Sequence, residues 1–190
     1  VPFVEDCEEA LKDVVLACDG ISALVGTLIR SEEGALSVGA FIENKKIVKY
    51  IGKKNVFKSY ELSTIKPSKG GEIITVGGKQ IAVLVGEDLL IENEFGTKTE
   101  MIVAIYADRY SKGQIAQRYD YFKNIAYEKN KISIFVNHLG GQTDWIYDGS
   151  SCVFNTQKQG LGFLKSFGEE LFIFDTDNQV VVEEPEQDVN

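Results

Sequence analysis

The chain has 190 residues, 44% hydrophobic and 26% charged, which suits one globular domain with a sizeable core. Twenty basic against twenty-nine acidic residues leave a formal charge of −9, and no cluster of Lys or Arg marks a face, so nucleic acid is not an expected partner. No apolar run approaches the ~20 residues that span a bilayer and the first residues do not read as a signal peptide, so a cytoplasmic protein without membrane contact is expected.

Apolar residues at Phe3, Cys7, Leu11, Val14, Val15 and Cys18 recur at spacings of three and four within an otherwise acidic segment. This spacing predicts an amphipathic helix over residues 3–18, packed on a sheet and ended by Asp19-Gly20. Residues 21–29 read as a buried strand and Ser31-Glu32-Glu33-Gly34 as a turn. Residues 36–43 and 46–51 are two further strands joined at Asn44-Lys45, so a meander follows the helix. Residues 52–69 are irregular and basic, with Lys at 53, 54, 58, 66 and 69, and loops of this length inside compact domains are often functional.

Residues 72–76 and 80–85 form a hairpin across Gly77-Gly78. Within it, residues 81–85 are an unbroken, β-branched apolar run that fits a strand buried on both faces. The run stops at Gly86-Glu87-Asp88. A glycine and two carboxylates at the carboxyl end of a buried strand lie where layered α/β enzymes place their chemistry. Taken alone, the same residues read as a strand end with solvated acids.

Residues 91–98 are polar and suggest no clear element, whereas 101–106 are another buried strand. Ile115, Tyr119, Phe122, Ile125 and Ala126 share one face of a helix over residues 113–129. A strand follows over 132–136, then a long polar loop over 137–149, then short strands over 151–155, 162–167 and 170–175. The domain is expected to run over 1–181, with 182–190 an acidic linker or tail. Alternating helices and strands with adjacent hairpins predict an α/β sandwich on a mixed sheet, with 81–85, 101–106 and 132–136 as buried neighbours.

Cys7, Cys18 and Cys152 are widely spaced and odd in number, so buried free thiols are expected rather than a disulfide framework. His138 is the single histidine, which excludes mechanisms built on a His pair or a multi-histidine metal site. No metal and no cofactor are expected.

The loop Asn137-His138-Leu139-Gly140-Gly141-Gln142, followed by Tyr147-Asp148-Gly149-Ser150-Ser151, is the most specific signal in the chain. It resembles the glutaminase (amidotransferase) domain of glutamine-dependent NAD synthetases, a branch of the nitrilase or carbon–nitrogen hydrolase superfamily. Val56-Phe57, Val85-Gly86-Glu87-Asp88, Tyr110 to Arg118 with Gly113 between them, and Phe174-Asp175-Thr176-Asp177-Asn178 are similar to further family stretches in the same order. The resemblance covers almost the whole chain and implies a nitrilase-like αββα sandwich. It also implies glutamine hydrolysis that supplies ammonia to an NAD synthetase domain of the same or another chain, which amidates nicotinic-acid adenine dinucleotide. A homo-oligomer is implied as well. The family chemistry uses a Cys nucleophile, a Glu general base and a Lys that steadies the tetrahedral oxyanion.

The sequence departs from that pattern at several separate positions. Gly86 stands where the family has its nucleophile, and a glycine cannot attack a carbonyl. The family's base and its first central strand would precede Phe3, so either another element is expected to fill that gap or the chain is a piece of something longer. Lys53 is the closest candidate for the oxyanion lysine and Lys54 the next. The family's Ala-Ser-Pro-Phe turn is Ala107-Asp108-Arg109-Tyr110 here, its Asp-Glu after Val-Phe is Lys58-Ser59, and a basic residue expected at the helix entry is Gln114.

The resemblance thus assigns Lys53 and Gly86 to catalytic positions and Asp108, Tyr110 and Gln114 to the substrate pocket. Gly86, Lys53, Asp108, Tyr110 and the loop 140–148 are expected to converge on one pocket. Three functions compete: a glutaminase-type domain that no longer hydrolyses glutamine, a non-catalytic oligomerisation or docking module, and an amidohydrolase with a non-family nucleophile. Cys152 lies at a position the family fills with an apolar side chain, which makes it core filler. Ser150 and Ser151 have no nearby histidine in sequence to activate them.

Overall fold

The computed structural model describes residues 2–56, 64–90 and 96–182. Phe57, Lys58 and Ser59, most of the polar stretch after Leu90, and the acidic tail from Glu183 lie outside the described residues. The chain forms two compact units, Val1–Tyr106 and Ala107–Asn190.

The first unit opens with α1 (Pro2–Ala17), and two residues of the expected stripe, Phe3 and Val14, are exposed. Val4 is buried and Phe3 is 54% exposed, so the stripe runs Val4, Cys7, Leu11, Val15, Cys18. That set follows a 3.6-residue period more closely than one starting at Phe3. Strands β1 (Ser22–Ser31), β2 (Gly34–Glu43) and β3 (Lys46–Gly52) then form the expected antiparallel meander. Its second turn carries positive φ at both Asn44 and Lys45 (49° and 59°), the geometry that matches the twist of a tight hairpin.

Strands β4 (Glu72–Val76) and β5 (Lys79–Val85) pair antiparallel across Gly77-Gly78, where φ is 56° and 83°. Strand β6 (Met101–Tyr106) runs parallel to β5, with Ile81 opposite Met101 and Val85 opposite Ile105, so this sheet is mixed. The central strand β2 separates two cores by the alternation of its side chains. Ala40 and Ile42 pack with Leu11 and Cys18 beneath α1. Phe41 packs on the opposite face with Ile51, Ile74, Val83, Val85 and Ile105. Gly39 permits the close approach of the layers, since a Cβ there would lie 2.9 Å from Ile105 Cδ1. The unit is therefore layered helix, sheet, sheet. Fully burying a Val or Leu in such a core is worth about 1.5–3 kcal/mol.

The second unit is built on α2 (Gln114–Lys129) and β7 (Ile132–Asn137). Phe122 and Phe135 meet across them with ring centroids 4.5 Å apart. Asn130 ends α2 in the left-handed conformation, its N–H donating to the carbonyls of Ala126 and Tyr127. Strand β10 (Cys152–Phe154) pairs antiparallel with both β7 and β11 (Gly160–Phe163).

The expected polar loop over 137–149 is instead a hairpin, β8 (Leu139–Gln142) and β9 (Trp145–Asp148), turning at Thr143-Asp144. No apolar alternation announces it, because the buried anchors of β9 are Tyr147 and a carboxylate, Asp148. The last expected strand shortens to β12 (Ile173–Asp175), and Val182, read as the start of the tail, belongs to β13 (Val180–Val182) paired with it. Among the described residues no helix is long and apolar enough to cross a membrane.

Candidate functional site

The corner after β5 is built by the backbone. Val85 ends the strand, and the chain enters a 3-10 turn, Gly86–Leu90, through Gly86 at φ +59°. A residue with a Cβ pays about 1–2 kcal/mol in that left-handed region. A sharp strand-to-helical-turn corner with one strained residue is also how hydrolases of a different fold present a nucleophile. Here the strained position carries no side chain.

Glu87 and Asp88 are not solvated acids, being only 5% and 1% exposed. The Asp88 carboxylate accepts three hydrogen bonds: from Lys54 N at 2.8 Å, Asn55 N at 2.7 Å and Asn55 Nδ2 at 2.8 Å. A buried carboxylate needs such donors to offset its lost hydration. The result is a clamp on the start of the irregular segment. Lys53 is fixed from its own backbone, with its N–H donating to Ser37 O and its carbonyl accepting from Ser68 N, both at 2.8 Å.

These restraints turn the Lys53 side chain inward, where the residue is 4% exposed, while Lys54 stays at the surface. Its Nζ lies 2.5 Å from Glu87 Oε2. Its stem lies over Gly86: a Cβ at position 86 would sit 3.0 Å from Lys53 Cε, 3.2 Å from Cδ and 3.3 Å from Nζ. Lys53 and Gly86, paired on the sequence alone, are thus in contact. The cluster offers a cation and carboxylates but no nucleophile.

In the second unit, Asp108 and Gln114 come together at Arg118, whereas Tyr110 makes its contacts elsewhere, with Ile146 and Phe167. The Arg118 guanidinium is buried and forks between two carboxylates. It donates to Asp148 Oδ2 from Nη1 at 2.9 Å and to Asp148 Oδ1 from Nη2 at 3.1 Å. Asp108 Oδ2 receives Nε at 3.1 Å and Nη2 at 3.0 Å, and also Gln114 Nε2 at 3.2 Å. Burial works against the charge on Arg118, but the two carboxylates outweigh it and raise its pKa further above the usual arginine value. Burial likewise pushes the Asp148 carboxyl up, and hydrogen bonds from Arg118 and Ser150 overcome that and hold it below the ordinary aspartate value.

The turn carrying Asp108 is anchored at both ends. Asn137 Oδ1 accepts from Asp108 N at 2.8 Å, and Tyr110 N donates to Ile146 O at 2.8 Å. The Arg109 guanidinium stacks on Trp145, 3.4 Å from the ring centroid, so residues 108–110 dock on the β8–β9 hairpin. The Tyr110 ring is 43% exposed and meets Phe167 edge to face at 5.1 Å.

Sequence reasoning identified Arg118 and Asp148 as motif residues without seeing that they bind each other. The available signal was an arginine at position 118 on the apolar stripe of α2, between Ile115 and Phe122. The clamp by Asp88 had no comparable signal, because its partners are backbone N–H groups 33 and 34 residues away in sequence. Cys152 is buried in β10, and burial pushes its thiol up to about 12, which suits packing and not attack. Among the described residues no group of three or more His, Cys, Asp or Glu side chains could hold a metal ion.

No family model matches the sequence. The glutamine-dependent NAD(+) synthetases of Thermotoga maritima and Xanthomonas campestris pv. campestris are 26% and 25% identical to it, over 83% and 80% of this chain. The chain spans 29% of the length of each of these curated relatives. The solved glutamine-dependent NAD+ synthetase from Acinetobacter baumannii, in complex with ADP, superposes with a TM-score of 0.78 at 19% identity. That match covers 95% of this chain and 37% of that one. A mutant of the Nesterenkonia AN1 amidase from the nitrilase superfamily superposes with a TM-score of 0.70 at 17% identity, over 86% of this chain and 65% of that one. The fold is nitrilase-like.

Proposed function

We propose, for a nitrilase-like chain whose relatives are glutamine-dependent NAD(+) synthetases, that it is a glutaminase-type domain that no longer hydrolyses glutamine. On this reading it serves NAD biosynthesis in the cytoplasm as a docking or scaffold partner of an ammonia-using NAD synthetase domain, of its own or another chain. The observation that carries the proposal is the Gly86 corner. Amide hydrolysis by covalent catalysis needs an atom at that corner to attack the carbonyl carbon, and glycine supplies none. The lysine placed to hold the oxyanion is present, 2.5 Å from Glu87 Oε2, so the missing nucleophile alone carries the reading.

The pocket reading of Asp108 and Gln114 fits the same picture. Asp108 is held by Arg118 and by Gln114, so its carboxylate is engaged within the fold. Cys152, the one buried thiol beside this network, is a poor substitute nucleophile because its deprotonation is suppressed well past neutral pH. The measurement is ammonia release from glutamine by the purified chain, alongside light scattering with and without a separately expressed NAD synthetase domain. No ammonia above background and a mixed complex are expected. Turnover of glutamine by the unmodified chain overturns the proposal, and self-association without a mixed complex shifts it to an oligomerisation module.

A further inference from the structure

We infer that Lys53 is a plug: its side chain fills the volume of the missing nucleophile and closes the site from within. This rests on the reading of Gly86 as the former nucleophile position and adds what became of that position. Three observations converge on it. A Cβ at 86 would have Cε, Cδ and Nζ of Lys53 as its three nearest atoms, at 3.0, 3.2 and 3.3 Å. Lys53 is 4% exposed and its ammonium is tethered to the buried Glu87. Its backbone is bracketed by Ser37 and Ser68, and the next two residues are clamped by Asp88, so the stem cannot withdraw by sliding the segment.

Closure follows from packing. Protein interiors leave few voids, and an alkyl stem gains dispersion contacts wherever a side chain is lost. Gly86 and Lys53 are therefore coupled: a Cβ at 86 would press on the Lys53 stem at 3.0–3.3 Å, so one of the two must shift to admit it. Gly52 belongs to the same arrangement, because a Cβ there would lie 2.1 Å from Ser68 Oγ, whose backbone N–H holds the Lys53 carbonyl.

The test is a double-mutant cycle on thermal stability, with Gly86→Cys made in three backgrounds: the parent chain, Lys53→Ala and Lys53→Met. The left-handed strain at 86 is common to all three and cancels in the cycle, leaving the contact with residue 53. Gly86→Cys is expected to lower the Tm of the parent chain by about 4 °C or more, from backbone strain plus overlap. In Lys53→Ala the same change should cost less than half as much. In Lys53→Met, which keeps a long stem without the charge, the cost should stay near the parent value.

A second readout is alkylation of the new thiol by iodoacetamide, followed at the peptide level so that Cys7, Cys18 and Cys152 do not interfere. Labelling should be at least about tenfold faster with Lys53→Ala than with Lys53→Met, two neutral backgrounds that differ only in the stem, so that loss of the thiolate-favouring charge is common to both. If Gly86→Cys does not fold, Gly86→Ala carries the same thermal cycle, because the overlap is at Cβ. Equal Tm costs in the lysine and alanine backgrounds overturn the plug. Loss of coupling in Lys53→Met as well as Lys53→Ala also overturns it, since charge rather than volume would then be responsible. These outcomes are independent of ammonia release: turnover of glutamine defeats the loss-of-activity proposal, whereas additivity defeats the plug alone.

Discussion

At the scale of single residues, the motifs that carry the family resemblance hold the second unit together. Arg118 forks onto Asp148, while Asn137 Oδ1 accepts from Asp108 N and Ser151 Oγ accepts from Asn137 N at 3.0 Å. Removing one partner from a buried ion pair leaves an uncompensated charge, so Arg118→Met should destabilise by about 3 kcal/mol or more, lowering the Tm by about 6 °C or more. Arg118→Lys should recover only part of this, because an ammonium cannot grip two carboxylates as a planar fork does. A Tm within about 2 °C of the parent for Arg118→Met would mean the network is ornamental.

The same network sets an acid dependence. Asp148 has its folded pKa depressed below the ordinary value of 3.8, so the unfolded chain binds this proton first as pH falls. Its contribution is therefore complete above that ordinary value and fades as pH drops through the lower, folded one, with Arg118 charged throughout. Urea unfolding from pH 7 down to about pH 2.5 should show Asp148→Asn losing stability less steeply than the parent below about pH 4, where the parent alone has this carboxylate to protonate. Parallel curves would remove the argument.

At the scale of elements, α1 shows how a stripe is chosen by what lies beneath it. Leu11 is 5% exposed against Ala40 and Ile42 of β2, whereas Leu16 is 66% exposed on the same helix. Leu11→Ala should cost about 2–4 kcal/mol, and Leu16→Ser should stay within about 0.5 kcal/mol, measured by chemical denaturation. Similar costs at both positions would place the helix in a different rotation. The β8–β9 hairpin makes a complementary point: residues with no strand pattern pair because Tyr147 and Asp148 are fixed by contacts outside the hairpin.

At the scale of the whole molecule, a chain with a filled site should not respond to the family's substrate. A ligand at a hundred times its dissociation constant adds about 2.7 kcal/mol of stability, or about 5–10 °C in Tm for a chain of this size. Glutamine at about 10 mM, saturating for a ligand with a dissociation constant near 0.1 mM, should leave the Tm unchanged within about 1 °C. A rise of several degrees would show a binding pocket still open and would count against the plug.

The features legible in the sequence are local and periodic. The meander, the Gly77-Gly78 hairpin, β5, β6, α2 and β7 all follow from apolar period and turn chemistry, because side-chain alternation and left-handed turn residues are properties of neighbours in the chain. That position 86 carries no side chain was legible as well, since it is a fact of composition. Which polar groups are buried, and with whom, emerges from the fold alone. Glu87 and Asp88 read as solvated acids until Lys53, Lys54 and Asn55 were brought back across more than thirty residues to meet them. The Asp108–Arg118–Asp148 fork likewise joins a turn, a helix and a strand end that no sequence period connects. The physical reason is that hydrophobic burial writes itself into sequence as a repeat, whereas a buried charge needs one specific partner, and that partner's position is set by the fold.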